Sequence, residues 1–409
     1  MMKQTIKKTP GKKVYLQKAK LKGFRTIHET EIDFDPGLNI LIGKNGVGKS
    51  NFLKLLHASI IFSMDTLPQP YAFLVFSQNG KVTHAIEISK NIETIEENGI
   101  TTVKTNPVTF EISRGEDFRY RTNRAEEVYD FLDQNEFSFS SVLISHGLPP
   151  DYDLVERPLS FKIDRKGFID NYPEIISNAR HSYFLKGVIH FIFLSSIVLF
   201  LKNKSPSLKH IKTILSKTFE LFEFIKLALE KFANIEGLRI NKNYNLVFDR
   251  DRKEFSVSNL FLEFKVERQW LPFSHLSDGT RRLFYIISEI AFPGLFQYQK
   301  TRLALSPEET NKIILIEEPE LGLHPHQLYS LMHFLREAAE NHQIIVTTHA
   351  PQVLDILEKE ELNKIIIARL SKKGTTLRHL TEKEQEKAGL YIEEEAYLSD
   401  YWRYSDLES

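Results

Sequence analysis

Hydrophobic and polar positions alternate with a period of two from Val14 to Leu21 and again through Glu31-Ile32-Asp33-Phe34. Two opening strands are therefore expected, the second ended by a turn at Asp35-Pro36-Gly37. The pattern then changes. Leu38-Asn39-Ile40-Leu41-Ile42 is apolar almost throughout, as in a strand covered on both faces, and it stops at Gly43. Alternation returns between Tyr71 and about Arg121, in segments such as Ala85-Ile86-Glu87-Ile88 and Val108-Thr109-Phe110-Glu111-Ile112, broken by turn residues at Asn79-Gly80 and Arg114-Gly115. This predicts an antiparallel meander. From about Asn171 to Asn234 the spacing becomes helical. Ser205-Pro206 reads as an N-cap and a first-turn proline, and Leu208, Ile211, Leu215, Thr218, Phe222, Ile225, Leu229 and Phe232 follow at alternating spacings of three and four. With Phe184–Lys202 this makes a helical hairpin, whose stripe either packs on its own domain or joins two copies. Strands are expected again at Leu238–Ile240 and Phe261–Val266. The apolar runs Ile313–Ile316 and Gln343–Thr347, separated by helix, imply a parallel sheet.

Composition narrows the class. The 409 residues are 42% hydrophobic and 26% charged, enough to bury a core in two or three units. The absence of cysteine excludes disulfides, thiolate metal sites and a cysteine nucleophile, and suits a reducing compartment such as the cytoplasm. The apolar run Gly187–Leu201 is interrupted by His190 and is shorter than the roughly 18–20 residues of a membrane span, so a buried helix is expected. The first residues carry positive charge without the apolar core of a secretory signal. Net charge is zero, yet the first 28 residues contain Lys3, Lys7, Lys8, Lys12, Lys13, Lys18, Lys20, Lys22 and Arg25 and no acid. Such an arm either contacts phosphates or is a solvated leader ahead of the first strand.

Chemistry enters at Gly43-Lys44-Asn45-Gly46-Val47-Gly48-Lys49-Ser50, which fits G-x-x-x-x-G-K-[ST] between a buried strand and a helical start at Asn51. The glycines let backbone N–H groups turn toward phosphates, Lys49 reaches the β- and γ-oxygens, and the Ser50 hydroxyl suits Mg²⁺. Downstream, Ile313–Ile316 ends in Glu317-Glu318-Pro319-Glu320. Carboxylates at such a strand end can support Mg²⁺, the role suited to Glu317, and orient and deprotonate a water, the role suited to Glu318. The bland alternative is an acidic helix start. A third strand ends at Thr347-Thr348-His349, where a γ-phosphate sensor would sit. Phe273-Ser274-His275-Leu276-Ser277-Asp278-Gly279-Thr280 opens another helix and reads either as a second anion site or as a simple cap.

Taken in chain order, Gly43–Ser50, Leu276–Thr280, Ile313–Glu318 and His349 resemble the ABC-type ATPases of the RecF/SMC branch. Glu317-Glu318-Pro319-Glu320 with Leu323-His324-Pro325 is similar to the OLD-type and related "AAA family" ATPases of bacterial defence systems. The resemblance covers about residues 14–60 and 270–352. It implies an α/β fold, the ABC-type P-loop head, with a mixed sheet, an antiparallel β lobe and an inserted helical hairpin. The expected division is 1–170 and 237–352 for the two ATPase lobes, 171–236 for the helical insertion and 353–409 for a terminal strand and tail. It also implies two ATP molecules held between two copies of the chain. Ser277 and Gly279 would then touch the γ-phosphate of the partner's ATP, with Glu318 the general base, His349 the switch residue and Arg25 a nucleotide contact. Gly43, Asn45, Gly46, Gly48, Lys49, Ser50 and Asn51 would line the nucleotide, with Ser50 and Glu317 on Mg²⁺. Glu317 stands where many ABC proteins carry Asp, although a Glu-Glu pair is familiar in the OLD-like group. The Q-loop transfers poorly, since neither His146 in Ser145-His146-Gly147 nor Gln78 matches its pattern.

Only 60 residues follow His349, and they contain no Asp-x-Asp pair, so the TOPRIM nuclease domain of OLD proteins is not expected. The tail around Tyr391–Tyr397 and Trp402 reads as a docking or closing segment. The leading expectation is an ATPase that forms a homodimer or higher homo-oligomer and controls a separate nuclease-like effector in anti-phage defence. A RecF-like DNA-repair ATPase, a transporter ATPase subunit and a nucleotide-gated scaffold with negligible turnover are the alternatives.

Overall fold

The computed structural model describes residues 13–409 apart from 68, 79–80, 91, 98–99, 106, 115–117, 135–136, 138, 146–154, 156, 179–182, 203–206, 293–295, 300–303, 308–311, 406 and 408–409. The chain divides into two compact units. One comprises Met1–His146, Asn311–Glu320 and Leu335–Ser409, and the other Gly147–Thr310 and Leu321–Phe334.

In the first unit the apolar runs become the middle of a six-stranded sheet. Its order is Ser140–Ile144, Lys312–Glu317, Gln343–Thr348, Leu38–Ile42, Ile365–Ser371 and Gly374–His379. The first five strands are parallel, and the last closes an antiparallel hairpin. Every residue of Leu38–Ile42, Lys312–Glu317 and Gln343–Thr348 is buried, which is why these runs are apolar without alternation. Two of the polar residues in them are bonded to backbone. Asn39 bonds the backbone of Asp35 and Gly37, and Gln343 bonds both the N–H and the carbonyl of Leu16 at 2.8 Å.

The alternating segments form a second, antiparallel six-stranded sheet in the order Ile27–Asp33, Val14–Phe24, Tyr71–Gln78, Lys81–Ser89, Thr109–Arg114 and Phe118–Thr122. Its inward residues, among them Leu21, Leu74, Ile86 and Phe110, share one core with Phe52 and Leu56 of the helix Lys49–Ile60 and with Leu315 and Ile345 of the parallel sheet. The other face carries an ion-pair ladder. Lys18 meets Glu31 at 3.0 Å, and Lys20 and Lys22 each meet Glu29 at 3.0 Å. Three cations of the basic leader are thus matched by acids one strand later. Lys3, Lys7, Lys8 and Lys12 lie outside the described residues.

The second unit holds the helical hairpin Tyr183–Lys202 and Leu208–Phe232 and the helix Asp278–Ala291. The helix following 203–206 begins at Leu208 and is capped by Ser207, whose N–H donates to His210 Nδ1 at 3.1 Å. Ser205-Pro206, the expected cap and first turn, lie outside the described residues, and the helix starts two residues later than expected, with Ser207 as its cap. Leu208 is exposed, but Ile211, Leu215, Thr218, Phe222, Ile225 and Leu229 are buried. Packing within the unit uses most of the stripe. Phe184, Phe264 and Phe273 surround Phe284 at centroid distances of 4.8–5.9 Å, and Phe292 packs against Phe184 at 5.8 Å.

The C-terminal tail closes on the first unit. Ser399 bonds Asp355 twice, at 2.8 and 2.9 Å, and Arg378 grips Glu384 with both terminal nitrogens. Among the described residues no helix is long and apolar enough to cross a membrane.

Candidate functional site

Parallel strands deliver their C-terminal ends to one edge of the sheet, and three of the expected features arrive there. Leu38–Ile42 leads into the Gly43–Gly48 loop, Lys312–Glu317 ends at the paired carboxylates, and Gln343–Thr348 ends at His349. The histidine strand lies between the other two, so the Glu317 strand is second from the loop strand rather than beside it.

The loop has the backbone of an anion cradle. Gly46 and Gly48 have φ of +81° and +100°, in the left-handed region that favours glycine. Around Gly46 there is open space, whereas a Cβ on Gly48 would fall 2.1 Å from Thr375 Oγ1 and 2.4 Å from Thr26 Oγ1. A Cβ on Gly43 would fall 2.4 Å from the Ala368 carbonyl oxygen. The loop is thus pressed against the Ile365–His379 hairpin. Lys49 is buried, and its ammonium donates to the carbonyls of Gly43 at 2.6 Å and Lys44 at 2.9 Å. A cation held by the loop's own carbonyls, next to N–H groups at a helix start, matches a polyanionic phosphate chain. Ser50 is half-buried on the first turn of that helix, and Asn45 is exposed on the loop.

Arg25 occupies the turn between the first two strands with φ of +52°. It donates to Asn51 Oδ1 at 3.2 Å, while Asn51 Nδ2 donates to Thr26 Oγ1 at 3.0 Å. Arg25 and Asn51, expected separately, are therefore joined directly at the loop helix.

Glu317 is 1% exposed, and Glu318 has φ of +46° with its N–H bonded to the Thr347 carbonyl at 2.8 Å. A non-glycine residue in the left-handed region costs energy, and such strain collects at functional positions. Glu318 Oε1 lies 3.6 Å from His349 Nδ1. Ser50 and Glu317 offer the hard oxygen ligands that Mg²⁺ prefers. That ion normally takes only one or two protein carboxylates beside substrate phosphates.

Ser277 caps the helix Asp278–Ala291 in the second unit, accepting from the Thr280 N–H at 3.2 Å. Ser277 and Asp278 are exposed, whereas Gly279 is buried where a Cβ would meet Gln327 Oε1 at 2.6 Å and the Gly322 carbonyl at 3.0 Å. Of the two Q-loop candidates, His146 is outside the described residues. Gln78 is paired with Val14 and Lys81 in the antiparallel sheet.

Two participants were not assigned roles from the sequence. Thr375 bonds the Val47 carbonyl at 2.8 Å. Glu320 accepts from Thr348 Oγ1 at 2.6 Å and from the His349 N–H at 3.1 Å. Glu320 could have been found from its place in Glu317-Glu318-Pro319-Glu320. Nothing local marks Thr375.

Residues 38–355 match the family described as "AAA domain, putative AbiEii toxin, Type IV TA system". The DNA replication and repair protein RecF of Streptococcus pneumoniae (strain CGSP14) is 46% identical over 44 residues, 11% of this chain and 12% of RecF. The chain thus spans about an eighth of the length of that relative. Among solved structures, the SMC head domain from Thermotoga maritima is 16% identical, over 90% of this chain and 99% of that one, with a TM-score of 0.40. The Smc head domain bound to the C-terminal domain of ScpA derived from Pyrococcus furiosus is 18% identical, over 93% and 99%, with a TM-score of 0.48.

Proposed function

The chain belongs to the AAA-domain family whose match spans residues 38–355, and from that membership we propose that it is an ATP-hydrolysing switch. In this reading two copies close over two ATP molecules, hydrolysis releases them, and the change of shape controls a separate effector protein. The observation that carries it is the meeting of the Gly43–Ser50 loop, Glu317-Glu318 and His349 at one end of one parallel sheet.

Each group has a task in that reading. Backbone N–H groups of the loop receive the phosphates, and Lys49 exchanges the carbonyls of Gly43 and Lys44 for the β- and γ-oxygens. Ser50 and Glu317 would hold Mg²⁺, which when bound neutralises charge on those oxygens. Glu318 orients the attacking water and takes its proton, and His349 senses the γ-phosphate. Arg25 and Asn51 hold the nucleotide at the loop helix, with Asn45 at the rim. The exposed Ser277 cap and the helix start at Gly279 serve the ATP of the second copy, so that neither site is complete in one chain. The family description names a putative toxin of a Type IV toxin–antitoxin system, which supports an output directed at the cell; a nuclease-like partner and an invading phage as trigger are part of the proposal.

A second reading, a RecF-like ATPase acting on DNA, is favoured by the 44-residue match to RecF and by the basic leader. Salt-dependent DNA binding that is lost on neutralising Lys7, Lys8, Lys12 and Lys13 would select it.

Mixing Lys49→Ala and Ser277→Arg chains tests the shared site. Each variant alone is expected to be inactive, while mixed dimers carry one site with both defects and one intact site, and so recover activity. Mixed dimers that form yet show no recovery would defeat the shared arrangement.

A further inference from the structure

A single carboxylate oxygen organises the turn that carries the switch histidine. Glu320 Oε1 accepts from Thr348 Oγ1 at 2.6 Å and from the His349 N–H at 3.1 Å, and it lies 3.3 Å from His349 Nδ1. Thr348 Oγ1 in turn accepts from the Ala350 N–H at 2.9 Å, so the turn is bonded on both sides. The Glu320 side chain is 8% exposed, and its Oε2 is buried without a hydrogen-bond partner among the described residues. The imidazole of His349 is 39% exposed. A desolvated carboxylate beneath an open ring costs energy unless its acceptor capacity is used, and here all of the use falls on the Thr348-His349 turn.

An ionised carboxylate only accepts. With the Glu320 carboxylate at 3.3 Å and Glu318 Oε1 adding negative charge at 3.6 Å, Nδ1 is stabilised when it carries the hydrogen and repelled when it presents a lone pair. The bonds of the same oxygen to the Thr348 hydroxyl and to the His349 N–H hold the backbone from which the ring projects.

We infer that Glu320 is a positioning residue, which fixes His349 as the Nδ1–H tautomer and leaves Nε2 as the ring nitrogen that meets the nucleotide or its attacking water. The consequence for catalysis rests on the proposed ATPase reading; the tautomer itself does not.

The test separates the two. Ring ¹⁵N spectra of the whole chain without nucleotide, with the His349 signal among 14 histidines assigned by its loss in His349→Gln, report which nitrogen is protonated. The wild-type chain is expected to show Nδ1–H, Glu320→Ala a mixture of tautomers, and Glu320→Gln, which keeps an acceptor at Oε1, the wild-type pattern. In ATPase assays Glu320→Ala is expected to lower kcat about tenfold or more with KM for ATP little changed, and Glu320→Gln to restore most of it. Glu320→Ala combined with His349→Ala should be no slower than His349→Ala alone. A wild-type ring spectrum in Glu320→Ala would overturn the assignment, as would additive losses in the double variant. If His349→Ala itself left turnover unchanged, the switch role of His349 would fall while the spectrum still decided the tautomer.

Discussion

Thr375 Oγ1 donates to the carbonyl oxygen of Val47 at 2.8 Å, although the two residues are 328 positions apart. The same hydroxyl lies 2.9 Å from Thr26 Oγ1, which also accepts from Asn51. One buried hydroxyl therefore ties the phosphate loop, its helix and the Arg25 turn together. Thr375→Val keeps the shape and removes the bonds. ATP affinity measured calorimetrically is expected to fall roughly three- to tenfold, the effect of one or two hydrogen bonds. Unchanged affinity would show that the tie does not order the loop.

The two left-handed glycines differ in what surrounds them. Gly46→Ala places its Cβ in open space and incurs only the backbone penalty of about 1–2 kcal/mol, whereas Gly48→Ala also drives Cβ into Thr375 and Thr26. Thermal unfolding without nucleotide should therefore show a larger fall in Tm for Gly48→Ala. Equal falls would mean that the Thr375 contact yields freely.

Glu318→Gln retains the shape of the proposed base and removes its proton affinity. Phosphate release is expected to drop by about 10²–10⁴-fold while ATP-dependent dimers persist in light scattering. Turnover at the wild-type rate would assign the base elsewhere.

His84 gives the fold a sensitivity to acid. It is 2% exposed, packed 4.1 Å from the Phe137 ring, and neither ring nitrogen has a hydrogen-bond partner among the described residues. Burial, reinforced by Arg114, lowers its pKa from 6.5 to about 4. The unfolded chain then binds the proton first, so stability is full above about pH 6.5 and declines toward pH 4. Glu384 acts in a lower window. Its bonds to Arg378 lower its pKa from 4.5 to about 2, so its contribution is present above pH 4.5 and lost as pH falls through 2. His84→Phe removes two buried unbonded nitrogens and should flatten the decline between pH 6.5 and 4, as read in urea unfolding midpoints. A variant with the wild-type profile would place the acid sensitivity in other groups.

Lys18, Lys20 and Lys22 are matched by Glu29, Glu31 and Asp33. Their pairing predicts that changing all three to Gln leaves any DNA affinity and its salt dependence unaltered in filter binding. A fall in both would mean that DNA displaces the acids.

The sequence alone determined the elements whose burial is two-sided or strictly alternating, because a strand covered on both faces must be apolar at every position and a half-covered one at every second. Leu38–Ile42, Ile313–Ile316, Gln343–Thr347 and the meander were legible for that reason. The phosphate loop was legible because its donors are contiguous in the chain. Tertiary structure decided the partnerships between distant residues. The ladder of Lys18, Lys20 and Lys22 depends on strand register, the grip of Gln343 on Leu16 on the approach of two sheets, and the contact of Glu320 with His349 on the neighbouring ends of two parallel strands. Such pairings arise from distances in space, and residue type constrains them too weakly for a linear pattern to disclose them.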